Sequence, residues 1–279
     1  WDMSKNTKIR ISHGVLFVVL LALGITMIIP FVWSLSASFK NNNEIFAYPV
    51  SWIPQVFRWS NYQEVCERIP FITYYLNTLK LAVIVTLGQL FTCSLAAYSF
   101  SKMHYPGRDK IFLCYLATMM VPWHAIMIPQ FLVVKNLGLN DSHWSLILIN
   151  LFSAFGVFLL RQFMLGIPGE LSEAARMDGC GELKIYSKII LPMSKPGIAT
   201  LTVFTFNFMW NDYMAPMIYL TSDNLRTIQL GLAAFRTQYG SEYGLIMAGT
   251  VCALIPMLLI FIVGQRYLVE GIAFSGLKG

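Results

Sequence analysis

The sequence predicts an all-α membrane protein with six transmembrane helices. Hydrophobic residues make up 56% of its 279 residues and charged residues only 12%, whereas a soluble domain has about a quarter charged residues. The apolar residues gather in runs of about 20, the length that crosses the hydrocarbon core of a bilayer. Loops beside a membrane account for the net charge of +6, so no nucleic-acid partner is predicted.

Six windows of mostly apolar residues define the predicted spans. They cover residues 12–39, 74–100, 111–134, 145–165, 197–220 and 244–268. The first window lies in a stretch without any Asp, Glu, Lys or Arg. That stretch is longer than the roughly 7 to 15 apolar residues of a secretory signal, so we interpret it as a retained span. Because the sequence begins at Trp1 rather than Met, we expect a few residues to precede it.

Prolines inside four of these spans predict kinked helices, because proline leaves a backbone carbonyl without its helical partner. A membrane helix tolerates such a kink beside a neighbouring helix or a water-filled cavity. The residues alone therefore leave two interpretations, a translocation path and irregular packing. The prolines are Pro30, Pro122, Pro129, Pro216 and Pro256.

Lys and Arg predict the orientation, because loops on the cytoplasmic side of a membrane collect positive charge. Most of the 20 such residues lie before the first span, after the second, between the fourth and fifth, or after the sixth. Both termini are therefore predicted to be cytoplasmic. Two long loops, 40–71 with Trp52, Trp59 and Tyr62, and 221–243, fall on the outer side. They either pack at the membrane surface or form a docking face for an external partner.

Motifs that carry chemistry are absent from the printed sequence. It contains no GxxxxGK[ST] phosphate loop, no HExxH zinc motif and no GxSxG nucleophile elbow. Its four His and five Cys do not have the spacing of a metal site or a disulfide framework. Lys80, Arg161 and Arg266 lie near span ends, so no chain of midplane charges indicates an ion relay. We predict a passive or externally driven pathway without catalytic residues or metal ligands.

The polar loop between spans four and five, residues 166–195, is called the elbow below. Acidic residues near its start predict a first helix over 168–178, because negative charge favours the amino-terminal end of a helix. Gly179 and Gly181 are expected to end that helix, since glycine readily adopts the left-handed conformation of helix ends.

A second helix of the elbow is predicted over 182–190. It places Leu183, Tyr186 and Ile190 on one face, and Pro192 is expected to end it. A rigid segment of this kind either rests on the lipid surface or receives a push from a soluble partner and passes it into the bundle. The residues alone do not decide between these interpretations.

The elbow resembles the EAA signature, EAA-x3-G-x9-I-x-LP, of the permease subunits of type I ABC importers. Every signature position is matched, by Glu173, Ala174, Ala175, Gly179, Ile189, Leu191 and Pro192. Further segments are similar to the carbohydrate branch of that family, the maltose-type permeases: SLAAYSFSKMHYPGR, MMVPWHAIMIPQF, LLRQF, WNDY and the final GLKG. The chain departs from the family at Gly181, where Ser or Thr usually caps the second helix.

The resemblance implies the type I importer permease fold, with an ABC transmembrane type-1 core over residues 71–268, in the bacterial cytoplasmic (inner) membrane. It implies a transport subunit rather than an enzyme, paired with a second permease subunit and docked on two ATPase subunits that bind ATP and Mg. An extracytoplasmic solute-binding protein is expected to deliver the oligosaccharide substrate to the side of the outer loop 221–243. No cofactor is expected on this chain.

The resemblance also implies roles for individual residues. The coupling segment that meets the ATPase subunits is expected to comprise Glu173, Ala174, Ala175, Arg176, Met177, Asp178, Gly179, Cys180, Gly181, Ile189, Leu191 and Pro192. The tail residues Lys278 and Gly279 are expected to reach the ATPase subunits as well, with a solvated chain end as the alternative.

Polar and aromatic residues of spans four and five are candidates for the sugar path, because hydroxyl partners and aromatic faces bind sugars. They are Asn150, Ser153, Asn207, Trp210, Asn211 and Tyr213. A structural or gating role is the alternative for these residues. The substrate is expected to be an oligosaccharide, either neutral or acidic, such as alginate fragments.

Two other classes of membrane protein fit part of the sequence. An ion-coupled secondary transporter or channel would act without an ATPase, and a scaffold in a membrane enzyme complex would carry no solute. The fully matched EAA spacing favours the importer permease.

Overall fold

The computed structural model describes residues 2–237 and 240–276. Helices account for most of them. In chain order they are α1 (Asp2–Ala37), α2 (Asn42–Ile45), α3 (Ser60–Arg68), α4 (Phe71–Lys102), α5 (Arg108–Ala117), α6 (Trp123–Asn136), α7 (His143–Asn150), α8 (Ala154–Leu165), α9 (Glu170–Met177), α10 (Glu182–Ile185), α11 (Leu191–Met193), α12 (Lys195–Asn211), α13 (Met214–Tyr219), α14 (Ile228–Ala233) and α15 (Tyr243–Gly276).

Short irregular elements complete the backbone. Single 3₁₀ turns cover Thr118–Met120 and Asp223–Leu225, and a π-helical turn, Tyr186–Ile190, joins α10 to α11. Strands β1 (Arg236–Thr237) and β2 (Gly240–Ser241) pair antiparallel. Apart from this small hairpin, the described residues have the helical character that the composition predicts.

The chain divides into two compact units. One comprises Trp1–Ile69 and Leu232–Leu254, and the other comprises Pro70–Gly231 and Ile255–Gly279. Helix α15 contributes residues to both.

In the first unit, the loop after α1 packs around Phe39. The centroid of its ring lies 5.6 Å from that of Phe57, 4.7 Å from that of Trp59 and 5.4 Å from that of Tyr62. Aromatic pairs at these separations stabilise each other beyond the area that they bury. The ring of Trp52 lies 5.5 Å from that of Trp33, so all three aromatic residues singled out in this outer loop have a packing role.

The beginning of α15 lies against the same loop. A Cβ atom at Gly244 would lie 2.6 Å from the carbonyl oxygen of Lys40, so only glycine fits at this position. The buried Asn61 donates a hydrogen bond from Nδ2 to that carbonyl, at 2.9 Å. Asn42 Nδ2 donates to the carbonyl of Ser241 at 3.0 Å, which ties the loop to the hairpin.

The second unit is built around α4, which packs against α8 and α12. Two buried apolar clusters surround α4. The cluster around its carboxyl-terminal half includes residues of the elbow, among them Ala175, Ile185 and Ile190. The cluster around its amino-terminal half includes Trp210 and Tyr219. The elbow is therefore part of the packed core of this unit.

Among the described residues, three helices are long and apolar enough to cross a membrane, and up to six spans result if each bent helix pair counts as one. The continuous ones are His13–Ala37, Phe71–Lys102 and Tyr243–Arg266. They agree with predicted spans one, two and six.

Predicted spans three, four and five are not single straight helices. The axis bends by 99° between Arg108–Met120 and Trp123–Asn136, beside Pro122. It bends by 40° between α7 and α8. A further bend, of 77° between Glu182–Met193 and α12, lies in the elbow before predicted span five. Within the fifth predicted span, Asp212 and Tyr213 separate α12 from α13. The break in the third predicted span was predicted from Pro122. The fourth predicted span contains no proline, so its break was not predicted.

The break in the fourth span is stabilised by side chains of α4. Gln89 Nε2 donates to the carbonyl of Asn150 at 2.7 Å, and Thr92 Oγ1 donates to that of Leu151 at 2.6 Å. Ser153 caps the helix that follows, since its Oγ accepts from the N–H of Gly156 at 3.1 Å. Backbone groups freed within a span are tolerated where protein groups satisfy them, and α4 supplies these groups here.

Candidate functional site

The first helix of the elbow is α9, within the predicted range 168–178. Ala175 is buried in the apolar cluster beside α4, whereas Glu173 and Ala174 are exposed. The two alanines of the EAA signature therefore differ in role. Ala175 packs α9 onto the bundle, and Ala174 leaves a flat outer surface beside the carboxylate of Glu173.

A glycine turn ends α9. Gly179 has φ +77°, and its N–H donates to the carbonyl of Arg176 at 3.0 Å. The N–H of Cys180 donates to the carbonyl of Ala175 at 2.9 Å. This pair of bonds is the Schellman arrangement, in which a left-handed residue satisfies the last carbonyls of a helix. The prediction that Gly179 ends the first helix is confirmed.

The second helix of the elbow buries a different face from the one predicted. Ile185, Tyr186 and Ile190 are buried, but the side chain of Leu183 is 73% exposed. The face that meets α4 is instead the one that carries Glu182 and Tyr186, whose side chains bond to α4, and Leu183 on α10 lies off this face. The prediction that Leu183 lies on this face is wrong.

Pro192 does not end the second helix. The helical path continues through α11, with Pro192 in its first turn, and ends at Ser194, just before α12. A proline inside a regular α-helix clashes with the carbonyl four residues earlier, and the preceding π-helical turn changes the backbone at that point. The signature residues Ile189 and Leu191 lie in this continuous path, next to the bend into α12.

An ion pair closes the turn of the elbow. Arg176 Nε lies 2.7 Å from Glu182 Oε1, and Arg176 Nη2 lies 3.3 Å from Glu182 Oε2. The Arg176 guanidinium, together with the hydroxyl of Tyr98 on α4, holds the pKa of the Glu182 carboxyl below its ordinary value. The sequence reasoning singled out Arg176 but missed Glu182 and Tyr98. Polar residues at four-residue spacing in the apolar α4 are the signal that would have pointed to Tyr98.

The outer surface of the elbow is partly apolar. The side chain of Met177 is 89% exposed, and Leu183 is exposed on the other side of the turn. Gly179 and Gly181 in the turn have no heavy atom within 4 Å of a Cβ position, so both face open space, while Cys180 between them packs against the apolar cluster beside α4. In the described part of the chain, no group of three or more His, Cys, Asp or Glu could hold a metal ion. The exposed Met177 and Leu183 give the elbow an apolar surface that a partner protein could contact.

Comparison with known families decides the identity of this arrangement. Residues 89–273 match the family model of the binding-protein-dependent transport system inner membrane component. The chain belongs to this family. The resemblance inferred from the EAA spacing is thereby confirmed, and the chain is an integral protein of the inner membrane.

Two relatives and one solved structure are similar to this permease over almost its whole length. It is 30% identical over 255 residues to the arabinooligosaccharides transport system permease protein AraQ of Halalkalibacterium halodurans, covering 90% of this chain and 91% of that protein. It is 32% identical to the polygalacturonan/rhamnogalacturonan transport system permease protein YtcP of Bacillus subtilis, covering 98% and 100%. A bacterial ABC transporter involved in the import of the acidic polysaccharide alginate has a chain with a TM-score of 0.81 and 27% identity, covering 93% and 97%.

Five of the six sugar-path candidates of this permease fall into two groups. Asn207 and Asn211 are exposed neighbours on α12, with Asn211 Nδ2 donating to Asn207 Oδ1 at 2.8 Å, and the exposed Tyr213 follows them. Asn150 donates from Nδ2 to the carbonyl of Leu146 at 2.9 Å, at the break where Ser153 caps α8. Asn207, Asn211 and Tyr213 are exposed, whereas Asn150 and Ser153 are half-buried.

Trp210 differs from the other candidates because it is buried in the permease. Its ring stacks on Phe206 at 5.6 Å and meets the edge of Tyr75 at 5.3 Å. The carbonyl of Trp210 accepts from Gln229 Nε2 at 3.3 Å, beside α14. These contacts favour the structural alternative for Trp210.

The remaining predictions concern the outer loop and the tail. The loop 221–243 contains the short helix α14. Residues 238 and 239 of this loop, and the tail residues Lys278 and Gly279, lie outside the described residues. The expected tail contact with ATPase subunits stays a prediction.

Proposed function

We propose that this permease is a subunit of an ATP-driven, binding-protein-dependent importer. With a second permease subunit it forms the path of an oligosaccharide across the cytoplasmic membrane. Two ATPase subunits, which bind ATP and Mg, dock against the elbow from the cytoplasm. A solute-binding protein delivers the oligosaccharide on the outer side, where the loop 221–243 faces it. This chain has no ATP site and passes the movement of the ATPase subunits to its spans.

The geometry of the elbow carries this proposal. Its turn is held by the Schellman bonds of Gly179 and by the ion pair of Arg176 with Glu182, so it presents a fixed surface. Exposed apolar side chains on that surface, Met177 and Leu183, favour burial in a partner protein. The EAA resemblance assigns ATPase contact to the same segment, 173–181, and continues it through Ile189, Leu191 and Pro192 to α12.

The proposed topology has six spans, with the elbow and both termini in the cytoplasm. The distribution of Lys and Arg supports this orientation. Helices α1, α4 and α15 supply three spans, and the bent segments 108–136 and 143–165 supply two more. The third bent pair joins Glu182–Met193 to α12, and its first half is the second helix of the elbow. Because we place the elbow outside the membrane, we assign span five to α12 together with α13.

For the substrate, we propose an oligosaccharide that contains uronic acids. Two proteins similar to this chain support an acidic glycan, since one solved transporter takes part in the import of alginate and one Bacillus subtilis relative is named for polygalacturonan and rhamnogalacturonan. ATP hydrolysis by the assembled importer, with its binding protein, is to be measured with neutral and acidic oligosaccharides of equal length. Stimulation by neutral oligosaccharides alone would contradict an acidic substrate.

The coupling role of the elbow is tested by Glu173→Lys in the assembled importer. Reversing an exposed charge on the surface that meets the ATPase subunits is expected to leave membrane insertion intact and to reduce substrate-stimulated ATP hydrolysis to its basal rate. Glu67→Lys is the control, because it makes the same charge change at an exposed position on α3, outside the elbow. Normal stimulation in Glu173→Lys would rule out contact at this position.

A secondary transporter would behave differently. This chain alone, reconstituted into vesicles, would then take up oligosaccharide along an ion gradient without ATP. Family membership favours the importer, for which no uptake by the isolated chain is expected. Gradient-driven uptake by the single chain would overturn the proposed function.

A further inference from the structure

A buried polar stripe follows one face of α4 towards its carboxyl-terminal end. It consists of Ser94, Tyr98 and Lys102, which are four residues apart and therefore lie one helical turn above the other. Their exposed fractions are 2%, 4% and 8%. Buried polar groups cost free energy unless they are hydrogen-bonded, so three of them in an apolar helix require dedicated partners.

All three side chains of the stripe bond to the elbow. Ser94 Oγ lies 2.7 Å from the hydroxyl of Tyr186. The hydroxyl of Tyr98 donates to Glu182 Oε2 at 2.5 Å. Lys102 Nζ donates to the carbonyl of Ile167 at 2.5 Å. The stripe thus holds both the beginning of the elbow and its second helix.

The spacing of the partners matches the spacing of the stripe. Glu182 and Tyr186 are also four residues apart, so two rungs, Ser94 to Tyr186 and Tyr98 to Glu182, connect the helices one turn apart. The rings of Tyr98 and Tyr186 meet edge to face between the rungs, with centroids 5.4 Å apart. One rung would allow the helices to pivot about it, whereas two rungs fix their relative rotation and height.

The third contact anchors the other end of the elbow. Ile167 follows Gly166, the carboxyl-terminal cap of α8. The ammonium group of Lys102 donates to the carbonyl of Ile167, and the Lys102 side chain is itself buried. Together with the two rungs, this bond attaches α4 to the elbow at three separate points.

We propose that Ser94, Tyr98 and Lys102 are positioning residues that clamp the elbow to α4, so that both move as one body when the ATPase subunits close. This inference rests on the proposed function. The elbow is joined through the chain to α8 and α12, and the clamp adds α4, which those two helices pack against. A push on the elbow then moves all three helices of the packed centre, including one that has no direct chain connection to it.

The clamp is tested in the assembled importer with the double variant Ser94→Ala/Tyr98→Phe and with Lys102→Met. Each removes hydrogen bonds and keeps most of the side-chain volume. In the double variant, deuterium exchange of the backbone amides of residues 182–190 is expected to become at least about fivefold faster, because Glu182 and Tyr186 lose their bonds to α4. In Lys102→Met the same increase is expected for residues 167–173, because Ile167 loses its bond to α4. The amount of oligosaccharide imported per ATP hydrolysed is expected to fall at least about threefold, while basal hydrolysis and assembly stay unchanged.

Two matched variants separate positioning from general damage. Tyr105→Phe removes a tyrosine hydroxyl that accepts from Ser99 of α4 at 3.3 Å and does not touch the elbow, so it is expected to leave exchange and coupling unchanged. Ser94→Thr/Tyr98→Phe restores one hydroxyl and is expected to recover part of the lost coupling ratio. A structural defect alone would lower assembly and basal hydrolysis together with import, without changing the ratio.

The outcomes distinguish the clamp from the proposed function. Wild-type exchange or a wild-type coupling ratio in Ser94→Ala/Tyr98→Phe overturns the clamp and leaves the importer function intact. Absence of ATP-driven import by the wild-type complex overturns the proposed function and, with it, the role of the clamp in coupling.

Discussion

The guanidinium of Arg176 and the carboxylate of Glu182 face each other across the glycine turn of the elbow and make two hydrogen bonds, of 2.7 Å and 3.3 Å. Arg176 belongs to α9 and Glu182 to α10, so their side chains hold the two helices together across the turn. The Schellman bonds hold the backbone of the turn itself. The elbow therefore has a defined shape before any partner binds.

Arg176→Lys is expected to loosen the turn, because an ammonium group cannot reproduce a two-bond fork. The loss should stay below about 1 kcal/mol, since both side chains are more than a third exposed. Deuterium exchange of residues 176–185 measures it. The Glu182 pKa lies below its ordinary 4.5, so the contribution is present above that value and is lost as the pH falls through the lower folded value. Arg226→Lys, in an exposed pair with Asp223, should leave elbow exchange unchanged.

Gly179→Asp and Gly179→Asn separate backbone strain from charge at the turn. Both residues tolerate the left-handed region better than other substitutions, and no heavy atom lies within 4 Å of the new Cβ, so each should cost about 1 kcal/mol. Only Asp adds a negative charge to the surface that we propose meets the ATPase subunits. Substrate-stimulated ATP hydrolysis should therefore collapse in Gly179→Asp and largely persist in Gly179→Asn. Equal rates in the two variants would contradict a contact at this residue.

Gly181→Ser is expected to stabilise the second helix of the elbow. Gly181 stands at the amino-terminal cap of α10 in an extended conformation, without a side chain to accept the free N–H groups. A serine cap contributes about 1 kcal/mol over residues that do not cap, and somewhat less over glycine. Slower deuterium exchange of residues 182–185 would show the gain. Gly181→Ala is the control, and protection equal to that of the serine variant would exclude capping as the cause.

Asp141→Asn is expected to destabilise the second unit at neutral pH. The Asp141 carboxylate accepts from the N–H groups of Thr221 and Ser222, at 2.8 Å and 2.9 Å, and from the hydroxyl of Ser222. These bonds lower its pKa from 3.8 to about 2. The contribution is present above about pH 4 and is lost as the pH falls through about 2.

The melting temperature of the detergent-solubilised complex, measured against pH, checks this prediction. The difference between wild type and Asp141→Asn should shrink as the pH falls below about 4. Asp223→Asn is the control, since it removes an exposed carboxylate of the same region. A difference that does not depend on pH would show that the charge of Asp141 contributes nothing.

Gln89→Leu is expected to destabilise the break in the fourth span. It removes the donor to the carbonyl of Asn150 and the acceptor of Thr205 Oγ1, at 2.7 Å and 2.8 Å. Each buried group left without a partner costs about 1–3 kcal/mol. The melting temperature should fall, and adding Thr205→Val should recover part of the loss because one orphaned hydroxyl disappears. If the decreases in melting temperature of Gln89→Leu and Thr205→Val simply added in the double variant, a direct bond between the two side chains would be contradicted.

Most of the long helices could be predicted from the apolar runs. A run of about 20 apolar residues crosses a bilayer as a helix, because a helix satisfies its own backbone hydrogen bonds there. The elbow could be predicted as two helices with a glycine turn. The left-handed conformation that ends α9 is favoured by glycine itself, so the position of Gly179 in the sequence is enough to predict it. The exposure of Leu183 could not be predicted, since it follows from the bonds of Glu182 and Tyr186 to α4. The helical conformation of Pro192 could not be predicted either, since it depends on the π-helical turn at Tyr186–Ile190. The sequence periodicity on which the prediction rested assumes an unbroken α-helix.

By itself, the sequence determined the membrane class, the elbow and the family, because hydrophobic length and the EAA spacing are local properties of consecutive residues. Only the tertiary structure decided that span four breaks at Asn150 and that Glu182 bonds to Tyr98, 84 residues away along the chain. Such contacts depend on how α4 packs against the segments that follow it. A buried polar side chain is satisfied by whichever neighbour the packing brings within reach, and no local pattern specifies that neighbour.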